Sequence, residues 1–297
     1  MLRPNRPAQV AAPNGRAASI AVLLVLCCLT GQGGAAAADD VATISAAKRD
    51  PRGWLVHEVT SPYQAGATRI CVLLPDEVAE GRRYPVVYLL PVEPGEESRF
   101  GDALVEAIRL DLANKKQAIL VAPTFSQLPW YADHPRDPAI RQETYFCRAV
   151  VPFVERSYPS LTESRGRLLV GFSKSGWGAW SLLLRHGDTF ARAVAWDAPL
   201  MMDAPGQYGS GPIFGTPENF AGYRLSELVR RRASSLRGTP RLALFGYGGF
   251  RSAHSEMHAL LDSLAVPHAF RDGPERKHDW HSGWLEEAVD WALSEPR

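Results

Sequence analysis

The residues with the clearest chemical potential are Gly171-Phe172-Ser173-Lys174-Ser175-Gly176, which follow an apolar run and precede apolar positions at helical spacing. A serine on a sharp strand-to-helix turn projects its hydroxyl above the sheet, and small neighbours let the helix pass close to adjacent strands. The segment is a G-x-S-x-G nucleophile elbow with Ser175 in the last position. The free N–H groups and positive dipole end of the following helix then face the charge that develops on a substrate oxygen. The plainer alternative is a small-residue junction without catalysis. Ser175 is a poorer nucleophile candidate than Ser173, because it falls inside the start of the helix.

A serine nucleophile needs a base, and eight histidines are available: His57, His134, His186, His254, His258, His268, His278 and His281. In sheet hydrolases with this elbow the histidine comes last in the chain, after the final strand. That order points to His278 in His278-Asp279-Trp280-His281, with His281 at the start of the last helix as the alternative. His254 and His258 lie four apart on one expected helix, a spacing that can bind a metal, but no third ligand is evident. Neither metal nor organic cofactor is expected.

Short runs rich in Val, Ile and Leu alternate with longer helical patterns. Strands are expected at 54–59, 68–74, 85–90, 118–121, 167–170, 192–195, 241–245 and 268–271. Helices are expected at 102–112, 140–158, 176–185, 253–264 and 282–293. Continuously apolar strands suit a parallel sheet buried on both faces. The alternation predicts an α/β fold, a mostly parallel central sheet of about eight strands with helices on both faces. The first two strands flank a Gly-containing turn near 64–66, which predicts a leading antiparallel hairpin. Residues 199–224, rich in Gly, Pro, Met and aromatics, interrupt the alternation as a lid or as a surface excursion packed down by its own aromatics.

On these residues the chain resembles the putative esterase family of α/β-hydrolases, which includes esterase D-like, enterochelin, feruloyl and acetylxylan esterases and the mycolyltransferases. The marks are Tyr84-Pro85-Val86-Val87-Tyr88-Leu89-Leu90, then Phe153-Val154-Glu155-Arg156-Ser157-Tyr158-Pro159, the Ser173 elbow, and His278-Asp279-Trp280. Together they span about 68–284, in the family's order. The resemblance implies an α/β-hydrolase fold and a serine esterase, with acyl transfer of the mycolyltransferase type or a decayed ligand-binding scaffold as alternatives. It assigns the oxyanion hole to the backbone N–H groups of Lys174 and Glu93. A carboxylate at position 93 suits that role only if it turns away or binds a cationic substrate group. The family's acid normally follows the penultimate strand, where this chain reads Phe245-Gly246-Tyr247-Gly248-Gly249-Phe250-Arg251 without a carboxylate. Asp197, at the carboxyl end of the strand after the elbow helix, lies on the same sheet edge as Ser173 and is one candidate. Glu256 is another.

Trp130 and Tyr131 lie in a loop at the carboxyl end of a strand, where ligand loops gather, and are candidate substrate-binding residues together with Trp177. Trp130 and Tyr131 could stack on a sugar or an aromatic acyl group, whereas packing near the site is the alternative for Trp177. The chain has 297 residues, 45% of them hydrophobic, with 33 Lys+Arg against 32 Asp+Glu. That balance disfavours disorder and offers no basic surplus for nucleic acid. Residues 1–38 contain Arg3, Arg6 and Arg16, no acid, an apolar run at 17–29 and four alanines at 35–38. They read as a secretory signal peptide, with a membrane anchor as the alternative. Residues 39–297 then form one catalytic domain, secreted or periplasmic, with no stable membrane span and a small-molecule or carbohydrate-linked ester as substrate. A disulfide between Cys71 and Cys147 is permitted by that compartment.

Overall fold

The computed structural model describes residues 42–294, so the segment read as a signal peptide lies outside the described residues. The apolar runs become strands of one ten-stranded sheet. In chain order these are β1 (Thr43–Ile44), β2 (Lys48–Arg49), β3 (Leu55–Thr60), β4 (Ala67–Leu73), β5 (Val86–Leu89), β6 (Ile119–Pro123), β7 (Arg167–Phe172), β8 (Arg192–Trp196), β9 (Leu242–Tyr247) and β10 (Ala269–Glu275). The spatial order is β1-β3-β4-β6-β5-β7-β8-β9-β10, with β2 also paired to β3. The count of about eight is therefore corrected to ten. The additional strands, β1 and β2, are two residues each, too short to show an alternation in sequence.

From β6 to β10 every pairing is parallel, whereas β3 and β4 form the expected antiparallel hairpin and β4 meets β6 antiparallel. Side chains of the parallel strands alternate between two buried layers. Tyr88, Val121, Leu169, Ala193 and Leu244 belong to one layer, and Val87, Leu120, Val170, Val194 and Ala243 to the other. Both faces of these strands are dry, which explains why their sequences are apolar without a period of two.

The helices are α1 (Ala103–Arg109), α2 (Leu112–Lys116), α3 (Gln142–Tyr145), α4 (Val151–Ser157), α5 (Ser173–Arg185), α6 (Gly211–Phe214), α7 (Pro217–Ala221), α8 (Leu225–Arg232), α9 (Arg251–Ser263) and α10 (Leu285–Leu293). Two expected helices are broken. The segment 102–112 divides at Asp111, whose φ of 57° is left-handed. The segment 140–158 contains a π turn at Phe146–Val150, where the Val151 N–H bonds to Phe146 O. Pro152 has no N–H to donate to the carbonyl four residues back, and the ladder widens just before it. Residues 199–224 are covered by short helices and pinned through buried Phe214, Phe220 and Tyr223, a surface excursion held by its own aromatics.

The topology sets where a site can form. The chain leaves β5 towards β6 on one side and returns to β7 on the other, so the loops after β5 and β7 flank a switch point. A crevice opens at the carboxyl ends of the strands at such a point. Glu93 follows β5 and Ser173 follows β7.

Candidate active site

Ser173 is the first residue of α5 and has a φ of 51°, a left-handed conformation that non-glycine residues avoid. The surrounding small residues are required by contact. A Cβ on Gly171 would sit 2.4 Å from Ser175 O, and one on Gly176 would sit 2.9 Å from the Ala198 Cβ. Ser175 is fully buried, and its Oγ accepts from the Phe172 N–H and donates to the Phe172 carbonyl. It is occupied in holding the turn. The Ser173 hydroxyl has no hydrogen-bond partner among the described residues.

Asp197 stands directly after β8, buried, with a φ of 40° that aspartate tolerates better than most residues. Its Oδ2 lies 2.6 Å from His278 Nδ1. The same carboxylate accepts the backbone N–H groups of Gly249 at 3.0 Å and Phe250 at 2.7 Å. Burial raises its pKa, but the bonds from His278 and from the backbone of Gly248, Phe250 and Gly249 outweigh burial and leave it lowered. The stretch after β9 therefore contributes no acid; it contributes donors to the acid of the neighbouring strand. A Cβ on Gly248 would lie 2.6 Å from Asp197 Oδ2, so the glycines make room for the carboxylate. The start of α9 adds its positive dipole end. Glu256, the other candidate acid, is exposed on α9.

His278 sits in a ring of aromatics, with Phe172 at 5.0 Å, Phe100 at 5.3 Å and Phe250 at 5.9 Å between centroids. They hold the imidazole while its side chain stays 28% exposed. His281 is engaged elsewhere. Its Nδ1 lies 3.0 Å from the buried Glu106 carboxylate, and its Nε2 accepts the Asp102 N–H.

Glu93 is buried, and its carboxylate turns to Arg99, accepting the Arg99 N–H at 2.7 Å and lying 3.3 Å from its guanidinium. The negative charge thus has a cationic partner. Lys174 is also buried; desolvation lowers its pKa, partly opposed by the Glu93 carboxylate. A cavity of about 120 Å³ lies behind Glu93, lined by Arg52, Arg69, Cys71, Asp102 and Trp280 among others, and Ser173, Asp197 and His278 do not line it.

The proposed substrate-binding aromatics are corrected. Trp130, Tyr131 and Trp177 have no accessible surface. Trp130 and Trp177 pack edge to face at 5.6 Å, and Tyr131 donates its hydroxyl to Pro91 O at 2.8 Å. They pack behind the site and offer no face for stacking. The closeness is strict, since a Cβ on Gly178 would meet the Tyr131 ring at 2.0 Å. Composition alone does not separate an aromatic that lines a pocket from one that fills a core.

His254 and His258 do not act together as ligands. His254 Nε2 accepts the Ala198 N–H at 2.9 Å, supporting the turn that carries Asp197, while His258 meets His268. This second support of Asp197, together with the donors Gly249 and Phe250, was not anticipated from sequence. The Gly-Tyr-Gly-Gly run before a helix was the one available signal of an anion-receiving turn. Cys71 and Cys147 are both free. Burial pushes the Cys71 thiol up to about 12 and that of Cys147 higher still.

The profile of a family described as "Putative esterase" matches residues 61–203, a stretch containing Ser173 and Asp197 but not His278. Esterase Rv1288 of Mycobacterium tuberculosis is 28% identical over 193 residues, 57% of this chain and 40% of that protein. The chain thus spans about two fifths of the length of this curated relative. Among solved structures, the fluorophosphonate-binding serine hydrolase FphF of Staphylococcus aureus matches with a TM-score of 0.65 at 17% identity, over 82% of this chain and 99% of that one. A ferulic acid esterase matches with a TM-score of 0.61 at 20% identity, over 85% of this chain and 96% of that one. These likenesses establish an α/β-hydrolase fold.

Proposed function

We propose that this chain, whose residues 61–203 match the profile described as "Putative esterase" and whose fold is that of the α/β-hydrolases, is a serine esterase cleaving carboxylic esters through an acyl-enzyme on Ser173. The observation that carries this reading is the 2.6 Å contact of His278 Nδ1 with Asp197 Oδ2, on the sheet edge where the elbow carries Ser173. A carboxylate can only accept, so Nδ1 carries the proton and the neutral ring keeps Nε2 free as a base. Ser173 Oγ attacks the ester carbonyl as Nε2 takes its proton, and the imidazolium is stabilised by the Asp197 carboxylate. The backbone N–H groups of Lys174 and Glu93 receive the oxyanion. His278 then protonates the leaving alcohol, and water repeats the sequence on the acyl-enzyme. The Ser173–His278 hydrogen bond forms on substrate binding, since catalytic contacts of this kind commonly reach working distance only in the substrate complex.

The substrate is a small-molecule ester, and the burial of Trp130 and Tyr131 removes the stacking argument for a carbohydrate-linked one. The decayed-scaffold reading loses one of its two motives, because Asp197 stands where the carboxylate absent from 245–251 is needed, while the altered loop after β5 remains the other. The segment 1–38 makes this an exported enzyme, secreted or periplasmic. No helix among the described residues is long and apolar enough to cross a membrane. The test is turnover of short-chain nitrophenyl esters by the wild type and by Ser173→Ala, alongside labelling with a fluorophosphonate. Wild-type turnover and labelling, both lost in the variant, support the reading; equal rates overturn it. Product analysis with acceptor alcohols present separates hydrolysis from acyl transfer.

A further inference from the structure

At the far end of α9 from the site, three ligating side chains converge. His258 and Asp262 are one turn apart on the same face of the helix, with His258 Nε2 3.5 Å from Asp262 Oδ2. His268 stands just before β10, where the chain has turned back past the helix. Its Nε2 is 2.7 Å from His258 Nδ1 and 3.9 Å from Asp262 Oδ1. One ligand atom from each of the three lies within 4.8 Å of the other two. We propose that His258, Asp262 and His268 form a binding site for one divalent transition-metal ion of the zinc type, clamping the end of α9 to the start of β10.

Two features pre-set the rings for this task. His268 Nδ1 lies 2.8 Å from Val266 O. A carbonyl only accepts, so Nδ1 holds the proton and the neutral ring turns the Nε2 lone pair inward. Metal-bound histidines make this outer hydrogen bond almost without exception. The His258 ring is stacked on Phe270 at 4.0 Å and 17°, which fixes its plane.

The spacing needs one adjustment. Two nitrogens held at about 2.0–2.1 Å by a tetrahedral zinc ion are about 3.3 Å apart. The 2.7 Å between the histidines is that of a hydrogen bond, so the rings must part by roughly 0.6 Å when the ion replaces it. Asp262 is 61% exposed and can swing to complete the set, with water in the remaining position. Two imidazoles and one carboxylate suit Zn²⁺, Ni²⁺ or Cu²⁺, whereas Ca²⁺ and Mg²⁺ require oxygen-rich shells.

The site serves stability and not ester chemistry. It precedes the amino end of β10, while Ser173, Asp197 and His278 follow the carboxyl ends of parallel strands. The seven residues of β10 separate the two levels by about 20 Å. Among the described residues β10 is an edge strand with β9 as its one strand partner, and a metal tie to α9 restrains it further.

The experiment is titration of untagged, chelator-treated protein with Zn²⁺ by calorimetry and metal analysis, repeated with Mg²⁺. One equivalent of Zn²⁺ is expected to bind, and to bind equally in His278→Ala. His268→Gln is expected to lose it, and the exposed Asp262→Ala to weaken it at least about tenfold. Zinc at about a hundred times its Kd should raise the wild-type Tm by about 5 °C and leave the His268→Gln Tm unchanged. Near-UV circular dichroism of each variant verifies that it is folded. Absence of stoichiometric zinc binding, equal binding by folded wild type and His268→Gln, or equal binding of Mg²⁺ overturns the proposal.

Discussion

The backbone carbonyl of Asp197 accepts a hydrogen bond from the Ser173 N–H at 3.1 Å. The elbow and the residue that orients His278 are thereby joined through the main chain, independently of any side chain. Both residues have left-handed backbone conformations, with φ of 51° and 40°. Strain held at two adjacent strand ends persists only where the surrounding packing compels it. Here the dry parallel strands β7 and β8 supply that constraint.

Asp197→Asn should lower kcat by about 10⁴-fold, the penalty of an imidazole held in the wrong tautomer, with little change in KM. Glu256→Gln, on the exposed face of α9, should leave kcat unchanged. Steady-state kinetics on a nitrophenyl ester compares the two, and the reverse pattern would transfer the role to Glu256.

The buried His254 gives the fold a defined acid response. Burial, partly opposed by the Asp197 carboxylate, lowers its pKa from the usual 6.5 to about 4. The unfolded chain therefore binds a proton at this position more readily than the folded one. Stability is fully present above about pH 6.5 and declines as pH falls towards 4, by on the order of 3 kcal/mol. Below pH 4 both states are protonated and this loss stops. Glu143 continues it at lower pH: burial raises its pKa, but His186, Arg185 and Tyr223 outweigh burial and bring it down to about 2. Its contribution is lost as pH falls from about 4.5 through 2. Urea denaturation at several pH values should show both windows, and His254→Gln should reduce the slope between 6.5 and 4, leaving the part due to His268, whose pKa burial also lowers.

Gly171→Ala would place a methyl 2.4 Å from Ser175 O, inside any allowed contact. The turn must then open, displacing Ser173. Loss of fluorophosphonate labelling with a lowered Tm is the expected result; unchanged labelling would mean that the turn relaxes without moving the serine.

Trp130→Ala should destabilise the protein by about 3–5 kcal/mol, the range for removing a large aromatic from a packed core. The fraction that remains folded should keep its KM, because the indole has no accessible face. A raised KM at unchanged stability would restore Trp130 to the substrate site.

Much of this was legible in sequence because it depends on local chemistry. Apolar runs of strand length between helical patterns define a parallel sheet, and Gly171-Phe172-Ser173 marks the sharp turn where one strand becomes a helix. A histidine after the last strand follows from chain order. What sequence could not decide was which groups meet across the sheet. Asp197 and His278 are 81 residues apart and come into contact only because β8, β9 and β10 are parallel neighbours, ending on one edge. The same packing recruits Gly249 and Phe250 as donors, buries Trp130 and Tyr131, and brings His268 back against His258. Residue types and spacing determined the elbow that carries Ser173 and the kind of fold. Long-range strand pairing brought Asp197 to His278, and side-chain packing buried the aromatics, because contact and burial are properties of the folded chain and of no short segment.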